Sequence, residues 1–438
     1  MKLAWQNPLH LAQKIADSYN EDWVFLYSGL HKKIKNSTSY IALFPREKII
    51  CDNFKTAEAK IKNGKEKWFG YLSYEVAHDF EKLPKTKKSF INLPKIHLIN
   101  FSLILEFDHD KKILTAICDD KKILKQVQDD EARSTKHEAR KCHPELVLGS
   151  IKNIYSNFTD KSYLKTIANI REMIAKGDFY QTNLTRKFFG EFTQKQNQQS
   201  SFQLFTDLVK SSPANYSSFL RLDKNFIVSS SPELFLEIKN GRIISRPVKG
   251  TMPRSANAKE DHKNKLALKN SAKERAENLM IVDLVRNDLS RICKAGSVAV
   301  KKLFTITSYK NIHHMSSEIH GILNKNSSTI DAIKATFPAG SMTGAPKIKA
   351  MEIAAKKEKM DRGIYSGCIG FLDGTSKANL SVVIRTLILQ GKKFEFQTGG
   401  AITFNSDSQA ELLEIFSKAK AIIKALDATS FLQFSQQK

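Results

Sequence analysis

The order of apolar segments along the chain limits the folds open to these 438 residues. In the first part, polar turns separate short apolar segments that predict strands over residues 23–27, 40–44, 68–71, 96–107 and 111–117. In the later part, hairpins and helices alternate without the regular spacing of βαβ units. This mixed order predicts an α+β fold rather than a doubly wound parallel sheet.

The later part has clear helix and turn signals. Tyr163, Ile167, Ile170 and Ile174 recur at helical spacing, and Gly177 ends that helix. Asn240-Gly241 predicts a hairpin turn between strands over 226–238 and 241–247. The remaining pattern predicts helices over 272–288, 327–337, 346–356 and 408–426, and strands over 179–189, 364–371, 378–389 and 394–398.

A change of character divides the chain into three parts. Residues 1–118 form the strand-rich region, and residues 151–430 carry the regular pattern. Between them, residues 119–150 are charged and lack sustained periodicity, which predicts an exposed insertion or linker. The five cysteines form no C-x-x-C pair, and the N-terminus has no secretory signal, so we expect a cytoplasmic protein without structural zinc. No apolar run is long enough to span a membrane.

The chain carries a formal net charge of +25. Its basic residues are spread over most of the sequence, and neither zinc-finger spacing nor an aromatic-basic RNA-binding motif is present. We interpret the charge as a general lysine coating that helps to attract an anionic substrate. The alternative is a catalytically decayed protein that binds nucleic acid, whose affinity would fall steeply with salt.

Two Glu-x-x-Glu pairs are candidates for a metal site. Glu274 and Glu277 lie in one predicted helix, and Glu411 and Glu414 lie in another. Residues at i and i+3 share a helix face, so each pair offers two carboxylates to one point. Apolar neighbours make both helices rather buried, and buried carboxylates need a partner. Mg²⁺ would be a suitable partner, because it prefers oxygen ligands and is often bound by carboxylates together with an anionic substrate.

Other residues point to chemistry on a small polyanion. Lys249 lies in the segment RPVKGTMPR (246–254), and two glycine turns, at 340–347 and 399–401, could contact an anion through backbone N–H groups. Arg385, in a predicted strand with apolar neighbours, is either a buried ion-pair partner or a fork for a substrate carboxylate. His314 has no spaced His or Cys partner, which argues against metal binding by histidine.

Seven short motifs extend the picture: GDFYQTNL (177–184), SPE (231–233), PVKGT (247–251), ENLMIVDLVRND (277–288), GAPK (344–347), IRT (384–386) and GGA (399–401). Together they resemble the chorismate-utilising enzymes, which include anthranilate, aminodeoxychorismate, isochorismate and salicylate synthases. The resemblance spans roughly residues 163–423, with a weaker match before the linker. It implies the family's fold, a two-layer antiparallel β-sandwich with helices packed on the outside.

Two positions separate the subgroups of this family. Water-using members carry a lysine where this chain has Gln181, and anthranilate synthases typically carry alanine where it has Lys249. Both residues resemble the aminodeoxychorismate synthase large subunits, whose product is 4-amino-4-deoxychorismate, a precursor of p-aminobenzoate and folate. An anthranilate synthase large subunit is the alternative within the family.

The resemblance also implies roles for individual residues. Lys249 would attack ring carbon 2, Glu233 would protonate the departing hydroxyl, and His314 would position or polarise that group. Mg²⁺ would be held by Glu277 and Glu414, with Glu274 and Glu411 nearby. The implied substrate contacts are Gln181, Thr251, Thr343, Lys347, Tyr365, Arg385, Gly399, Gly400 and Ala401. The chain lacks a glutaminase nucleophile, so ammonia is expected from a separate glutamine amidotransferase subunit.

Overall fold

The computed structural model describes residues 1–29, 37–62, 64–118, 120, 122–123 and 150–428. The predicted linker at 119–150 therefore lies almost entirely outside the described residues. The helices in the described part are α1 (Pro8–Ser18), α2 (Phe54–Ile61), α3 (Asp160–Ala175), α4 (Gln198–Ser211), α5 (Ala258–Asn270), α6 (Ala272–Ser290), α7 (Thr329–Thr336), α8 (Lys347–Glu358) and α9 (Ser408–Ala425). Short 3₁₀ turns occur at Tyr74–Asp79 and Gly340–Met342.

The strands outnumber the helices. In the first region they are β1 (Lys2–Leu3), β2 (Trp23–Tyr27), β3 (Thr38–Cys51), β4 (Trp68–Leu72), β5 (Ile96–Asp108) and β6 (Ile113–Cys118). In the later region they are β7 (Ile151–Ser156), β8 (Gln181–Phe192), β9 (Tyr216–Leu222), β10 (Asn225–Ser231), β11 (Leu234–Lys239), β12 (Arg242–Arg246), β13 (Val248–Pro253), β14 (Ala299–Ser308), β15 (Ile312–Ile322), β16 (Gly344–Ala345), β17 (Cys368–Leu372), β18 (Lys377–Val382), β19 (Thr386–Gln390) and β20 (Lys393–Ile402).

These strands form one antiparallel ladder that divides at β5. One arm runs from β5 through β3, β2, β9, β10, β19, β20 and β8 to β7. The other runs from β5 through β4, β17, β18, β11 and β12 to β15, which also pairs with β13 and β14. Because β2 pairs with β9 and β4 with β17, the strands before residue 118 and those after residue 150 share one sheet.

The apolar core lies in three layers. The inner one contains Phe69, Ile99, Leu220 and Ile388, and its buried members come from strands of both arms and from loops, with no helical residue. Helices α1, α3, α4 and α9 cover the outer face of the first arm. Helices α2, α6 and α7 cover the outer face of the second, and α8 contributes to both outer layers. The predicted α+β fold is therefore confirmed, with the helices outside the paired strands.

Three predictions near the candidate site were wrong in detail. The strand predicted over 226–238 stops before Glu233, and the strand predicted over 378–389 stops before Arg385, which has a φ of 51°. Residues 399–401 are not a turn but the end of β20, where they pair with β8. A Cβ at Gly399 would lie 2.7 Å from Thr185 Cγ2, so glycine there permits a close strand approach.

A buried ion pair joins elements that surround the candidate site. Arg362 lies against Glu358 at the end of α8, with Nη2 2.8 Å from Oε1 and Nε 2.9 Å from Oε2. Arg362 also donates to the carbonyls of Met342 and Asn183, at 2.8 Å each, and to Ser366 Oγ. All five N–H groups of its guanidinium are thus used, which is how a buried charge is made tolerable.

No helix in the described ranges is both long and apolar enough to cross a membrane. The four cysteines in those ranges, Cys51, Cys118, Cys293 and Cys368, are free thiols. The structure thus contains no disulfide among the described cysteines, and non-covalent packing and hydrogen bonding hold its two arms together.

We expect Glu358→Ala to destabilise the protein by about 3–5 kcal/mol, because it leaves the Arg362 charge buried without its partner. Glu47→Ala is the matched control, since Glu47 forms an exposed ion pair with Lys60 at 3.3 Å, and such pairs contribute about 0–1 kcal/mol. Thermal denaturation of both variants gives the comparison. Equal melting temperatures would refute the importance assigned to the buried pair.

Candidate active site

Lys249 lies at an irregularity in strand pairing. Strand β13 pairs with β15 at Val248 and again at Thr251, and the register shifts between them, where Lys249 is located. The half-buried side chain donates from Nζ to the backbone carbonyl of Ser341 at 3.0 Å. Burial lowers the pKa of Lys249, while the charge of Glu277 acts in the opposite direction. The amine is therefore closer to its neutral, nucleophilic form than an exposed lysine would be.

Glu233 sits in the break between β10 and β11 and is 4% exposed. Burial raises its pKa to about 7, and the neighbouring Ser341 hydroxyl and the charge of Lys249 limit the rise. Ser341 thus lies beside both residues, with its carbonyl accepting from Lys249 and its buried hydroxyl near Glu233. A carboxyl group with this pKa carries a proton for a substantial fraction of the time at neutral pH, which suits a general acid.

His314 links two other predicted residues. Its Nε2 lies 3.1 Å from Arg385 Nη2, and its Nδ1 lies 3.0 Å from Thr251 Oγ1. Burial and the charge of Arg385 hold the pKa of His314 well below its ordinary value, so the ring is neutral. A guanidinium can only donate, so Nε2 accepts and Nδ1–H donates to Thr251. Both ring nitrogens are thus engaged, and His314 positions Arg385, while its catalytic role stays a prediction.

Arg385 is a cation without a carboxylate partner among the described residues. Its left-handed backbone lies between β18 and β19, and its Nη1 donates to Ser212 Oγ at 3.2 Å. Burial lowers the pKa of Arg385 to about 10, which leaves it charged at neutral pH. A half-buried arginine that donates only to neutral groups is suited to bind a carboxylate ligand.

The two glutamate pairs, on α6 and α9, influence one another electrostatically. Burial raises the pKa of Glu277 to about 7 and raises that of Glu274, and each of these carboxylates is influenced by a glutamate of α9. Burial, followed by the charge of Glu414, raises the pKa of Glu411. Burial also acts to raise the pKa of Glu414, but Lys418 outweighs it and holds that pKa below its ordinary value.

The chemistry of these side chains fits a hard cation. Glu277 Oε1 and Glu411 Oε2 are buried and accept no hydrogen bond, which is costly for a carboxylate oxygen. Within the described ranges no three acidic, histidine or cysteine side chains already converge closely enough to form a ready-made ion site. The four glutamates therefore supply carboxylate oxygens from two helices, and these would hold a Mg²⁺ ion and balance its charge.

Lys418 is a site residue that the sequence reasoning missed. Its Nζ lies 2.5 Å from Glu414 Oε1 and donates to the carbonyl of Gly399 at 2.7 Å. The lysine thereby ties α9 to the end of β20. The sequence contains the pattern that predicts this ion pair, because Lys418 follows Glu414 by four residues and so lies on the same helix face.

The other predicted contacts differ in placement. Tyr365 and Thr343 are buried, and Gln181 is buried in β8 with both side-chain amide atoms unpartnered within the protein. Gly400 lies against one of the four glutamates, since a Cβ there would be 2.9 Å from Glu411 Oε2. Lys347, in contrast, donates its hydrogen bonds to Asp288 and to backbone carbonyls.

Lys347 is held by groups of the protein itself. Its Nζ donates to Asp288 Oδ2 at 2.5 Å and to the carbonyls of Thr336 and Pro338 at 3.0 and 3.1 Å. An ammonium group has three protons, and all three are used here. These hydrogen bonds fix the start of α8 to the end of α6, and the substrate contact of Lys347 stays a prediction.

The chain is similar to known proteins over most of its length. The family of chorismate binding enzymes matches residues 16–424. Aminodeoxychorismate synthase component 1 of Escherichia coli is 35% identical over 82% of this chain and 76% of that protein. Anthranilate synthase component 1 of Aquifex aeolicus is 36% identical over 63% of this chain and 55% of its own. The crystal structure of anthranilate synthase component I from Streptococcus pneumoniae has a TM-score of 0.77 at 27% identity, covering 90% of this chain and 93% of that one.

Gly250, next to Lys249, provides a test of the site's packing. Its φ is +91°, and a Cβ there would lie 3.0 Å from Glu274 Oε2 and 3.1 Å from Leu268 Cδ1. We expect Gly250→Ala to lower stability by about 1–3 kcal/mol through strain and crowding. Gly177→Ala is the control, because Gly177 has a φ of +84° with no atom within 4 Å of the added Cβ.

Thermal denaturation of the two glycine variants separates the causes. Gly177→Ala has the conformational cost alone, so a larger loss for Gly250→Ala reports the contact with Glu274 and Leu268. If the two variants lose the same amount, the crowding beside Lys249 is absent.

Proposed function

Because this chain belongs to the chorismate-binding enzyme family, we propose that it aminates chorismate as the large component of an aminodeoxychorismate synthase. It would thus be a transferase that makes 4-amino-4-deoxychorismate. The observation that carries the proposal is the environment of Lys249, a half-buried amine of lowered pKa held by the Ser341 carbonyl and influenced by Glu233. Such a lysine is suited to nucleophilic attack.

The first step uses Lys249 and Glu233. The neutral amine of Lys249 attacks ring carbon 2, the adjacent ring double bonds shift, and the bond between carbon 4 and its hydroxyl breaks. Glu233 gives its proton to the departing oxygen, which leaves as water. The raised pKa of Glu233, about 7, supports this role because the carboxyl group must still hold a proton when the bond breaks.

The second step releases the lysine. Ammonia attacks carbon 4, the double bonds shift back, and the bond between carbon 2 and the Lys249 nitrogen breaks. The lysine leaves as an amine, and the proton that ammonia loses can return to the Glu233 carboxylate. The residue thus acts as acid in the first step and as base in the second, and both residues end in their starting states.

The other residues orient the substrate. Arg385, placed by its hydrogen bond to His314, would bind the enolpyruvyl carboxylate near Tyr365. When bound by Glu277 and Glu414, with Glu274 and Glu411 nearby, Mg²⁺ would neutralise the ring carboxylate. The backbone of residues 399–401 lies beside these glutamates, as the proximity of Gly400 to Glu411 indicates.

The ammonia would come from a separate glutamine amidotransferase subunit. Relatives of this chain are named component 1, which implies a second component. An ammonium salt at mildly alkaline pH supplies free ammonia directly, so the synthase reaction can be tested without the partner.

Anthranilate synthase is the second candidate, since relatives with that name also match. That reaction would release pyruvate and an aromatic product. Lys249 is the residue that distinguishes the two candidates, because anthranilate synthases typically have alanine at the equivalent position and do not need a covalent amine.

We expect chorismate, Mg²⁺ and ammonium salt to yield 4-amino-4-deoxychorismate, identified by chromatography and mass spectrometry. Lys249→Ala should reduce the rate at least about 100-fold, because the covalent step is lost. Lys239→Ala, at an exposed lysine at the end of β11, is the matched control and should retain activity. Formation of anthranilate with pyruvate would refute the primary proposal and support the second candidate.

The dependence of kcat on pH tests Glu233. The acid form is needed, and its pKa is about 7, so the wild-type rate should fall as pH rises above that value. Lys249 must be neutral, and its pKa is lowered from its ordinary range, so the rate should also fall towards acidic pH. Glu233→Gln should lose about 10²–10⁴-fold in kcat and abolish the alkaline limb. An unchanged alkaline limb in that variant would assign the limb to another group.

A further inference from the structure

Lys273 connects the two glutamate pairs. It lies in the first turn of α6, directly before Glu274, and its side chain is 46% exposed. Its Nζ lies 3.6 Å from Glu411 Oε1 on α9 and 3.9 Å from Glu277 Oε1 on its own helix. One ammonium group is therefore shared between carboxylates that belong to different helices.

The charge of Lys273 interacts with all four glutamates of α6 and α9. Burial lowers its pKa, but Glu411, Glu277, Glu274 and Glu414 together outweigh burial and raise it. Lys273 in turn lowers the pKa of Glu411 and of Glu277, although burial dominates for both. All four carboxylates thus act on the same cation.

Lys273 partly neutralises the negative charge of Glu411 and Glu277, but it donates no hydrogen bond to their oxygens. Separations of 3.6 and 3.9 Å are too long for hydrogen bonds. Of the two oxygens nearest to Lys273 Nζ, Glu411 Oε1 accepts from Ser406 Oγ at 2.8 Å, whereas Glu277 Oε1 accepts no hydrogen bond. The other Glu411 oxygen, Oε2, is also buried without a partner, and Glu411 is 2% exposed. Lys418 is held more firmly, at 2.5 Å from Glu414 and 2.7 Å from the Gly399 carbonyl. Lys273, on a flexible and partly exposed stem, is the lysine that can move away from the cluster.

We propose that Lys273 is a built-in counter-ion that competes with the divalent cation for the carboxylates of Glu277 and Glu411. When the cation enters, the ammonium is repelled from the same two carboxylates and its stem turns towards solvent. Lys273 thereby weakens cation binding and sets the Mg²⁺ concentration that the protein requires. The inference rests on the proposed function in one respect, since it takes these glutamates as the cation's ligands.

The test is direct titration of the metal-free protein with Mg²⁺ by calorimetry, in the absence of chorismate. We expect Lys273→Gln to bind Mg²⁺ about tenfold more tightly than the wild type, because a charge about 4 Å from the binding oxygens is removed. Lys269→Gln, at an exposed lysine near the end of α5, is the matched control and should bind with wild-type affinity.

Thermal denaturation supplies a second readout. In EDTA, Lys273→Gln should melt below the wild type, because four carboxylates have lost a shared counter-ion, and saturating Mg²⁺ should restore more of its stability. Equal Mg²⁺ affinity in the variant and the wild type would overturn the inference while leaving the metal site intact. If neither protein binds Mg²⁺, the metal site of the proposed function fails, and the inference fails with it.

Discussion

The buried ion pair of Arg362 and Glu358 is the interaction on which the arrangement of the site depends. Glu358 also accepts from the backbone N–H of Thr185 at 2.9 Å, and Arg362 donates to the carbonyls of Asn183 and Met342. The pair therefore fixes β8 and the turn before α8 to each other. The same turn contains Ser341, whose carbonyl holds Lys249, so the position of the candidate nucleophile traces back to a pair that has no chemical part in the reaction.

Breaks in regular structure provide the reactive groups. Glu233, Lys249 and Arg385 each lie where a strand ends or its register shifts. A residue inside a regular ladder has its backbone direction set by its neighbours, whereas an interruption allows the side chain to leave the sheet. The sheet supplies rigidity on either side, and the interruptions place the three side chains where they act.

Much of the fold was predictable because local patterns agree with it. The helix over Tyr163 and Ile174, the hairpin at Asn240-Gly241 and the glutamate-bearing helices follow from periodicity and turn chemistry. The strand character of 399–401 did not, because two adjacent glycines indicate a turn locally, and only pairing with the distant β8 makes them a strand. The strand order of the two arms could not be predicted either, since it depends on pairings between segments that are far apart in sequence.

The candidate site shows the same division. Sequence reasoning identified the residue types and the resemblance, and the structure places Lys249, Glu233 and the glutamates under mutual electrostatic influence. It could not tell that Lys347 is occupied by Asp288, or that His314 uses both ring nitrogens, because hydrogen-bond partners are set by tertiary contacts. The ion pair of Glu414 and Lys418, in contrast, could have been predicted from their spacing of four residues.

The shared sheet has a consequence for synthesis of the chain. Strand β4 pairs with β17, about 300 residues later, and β2 pairs with β9. An emerging N-terminal region therefore exposes unpaired strand edges until the distant partners leave the ribosome, which takes tens of seconds at about 5–20 residues per second. During that interval the edges of β2 and β4 are open to other chains, so a chaperone that shields them would raise the yield of folded protein.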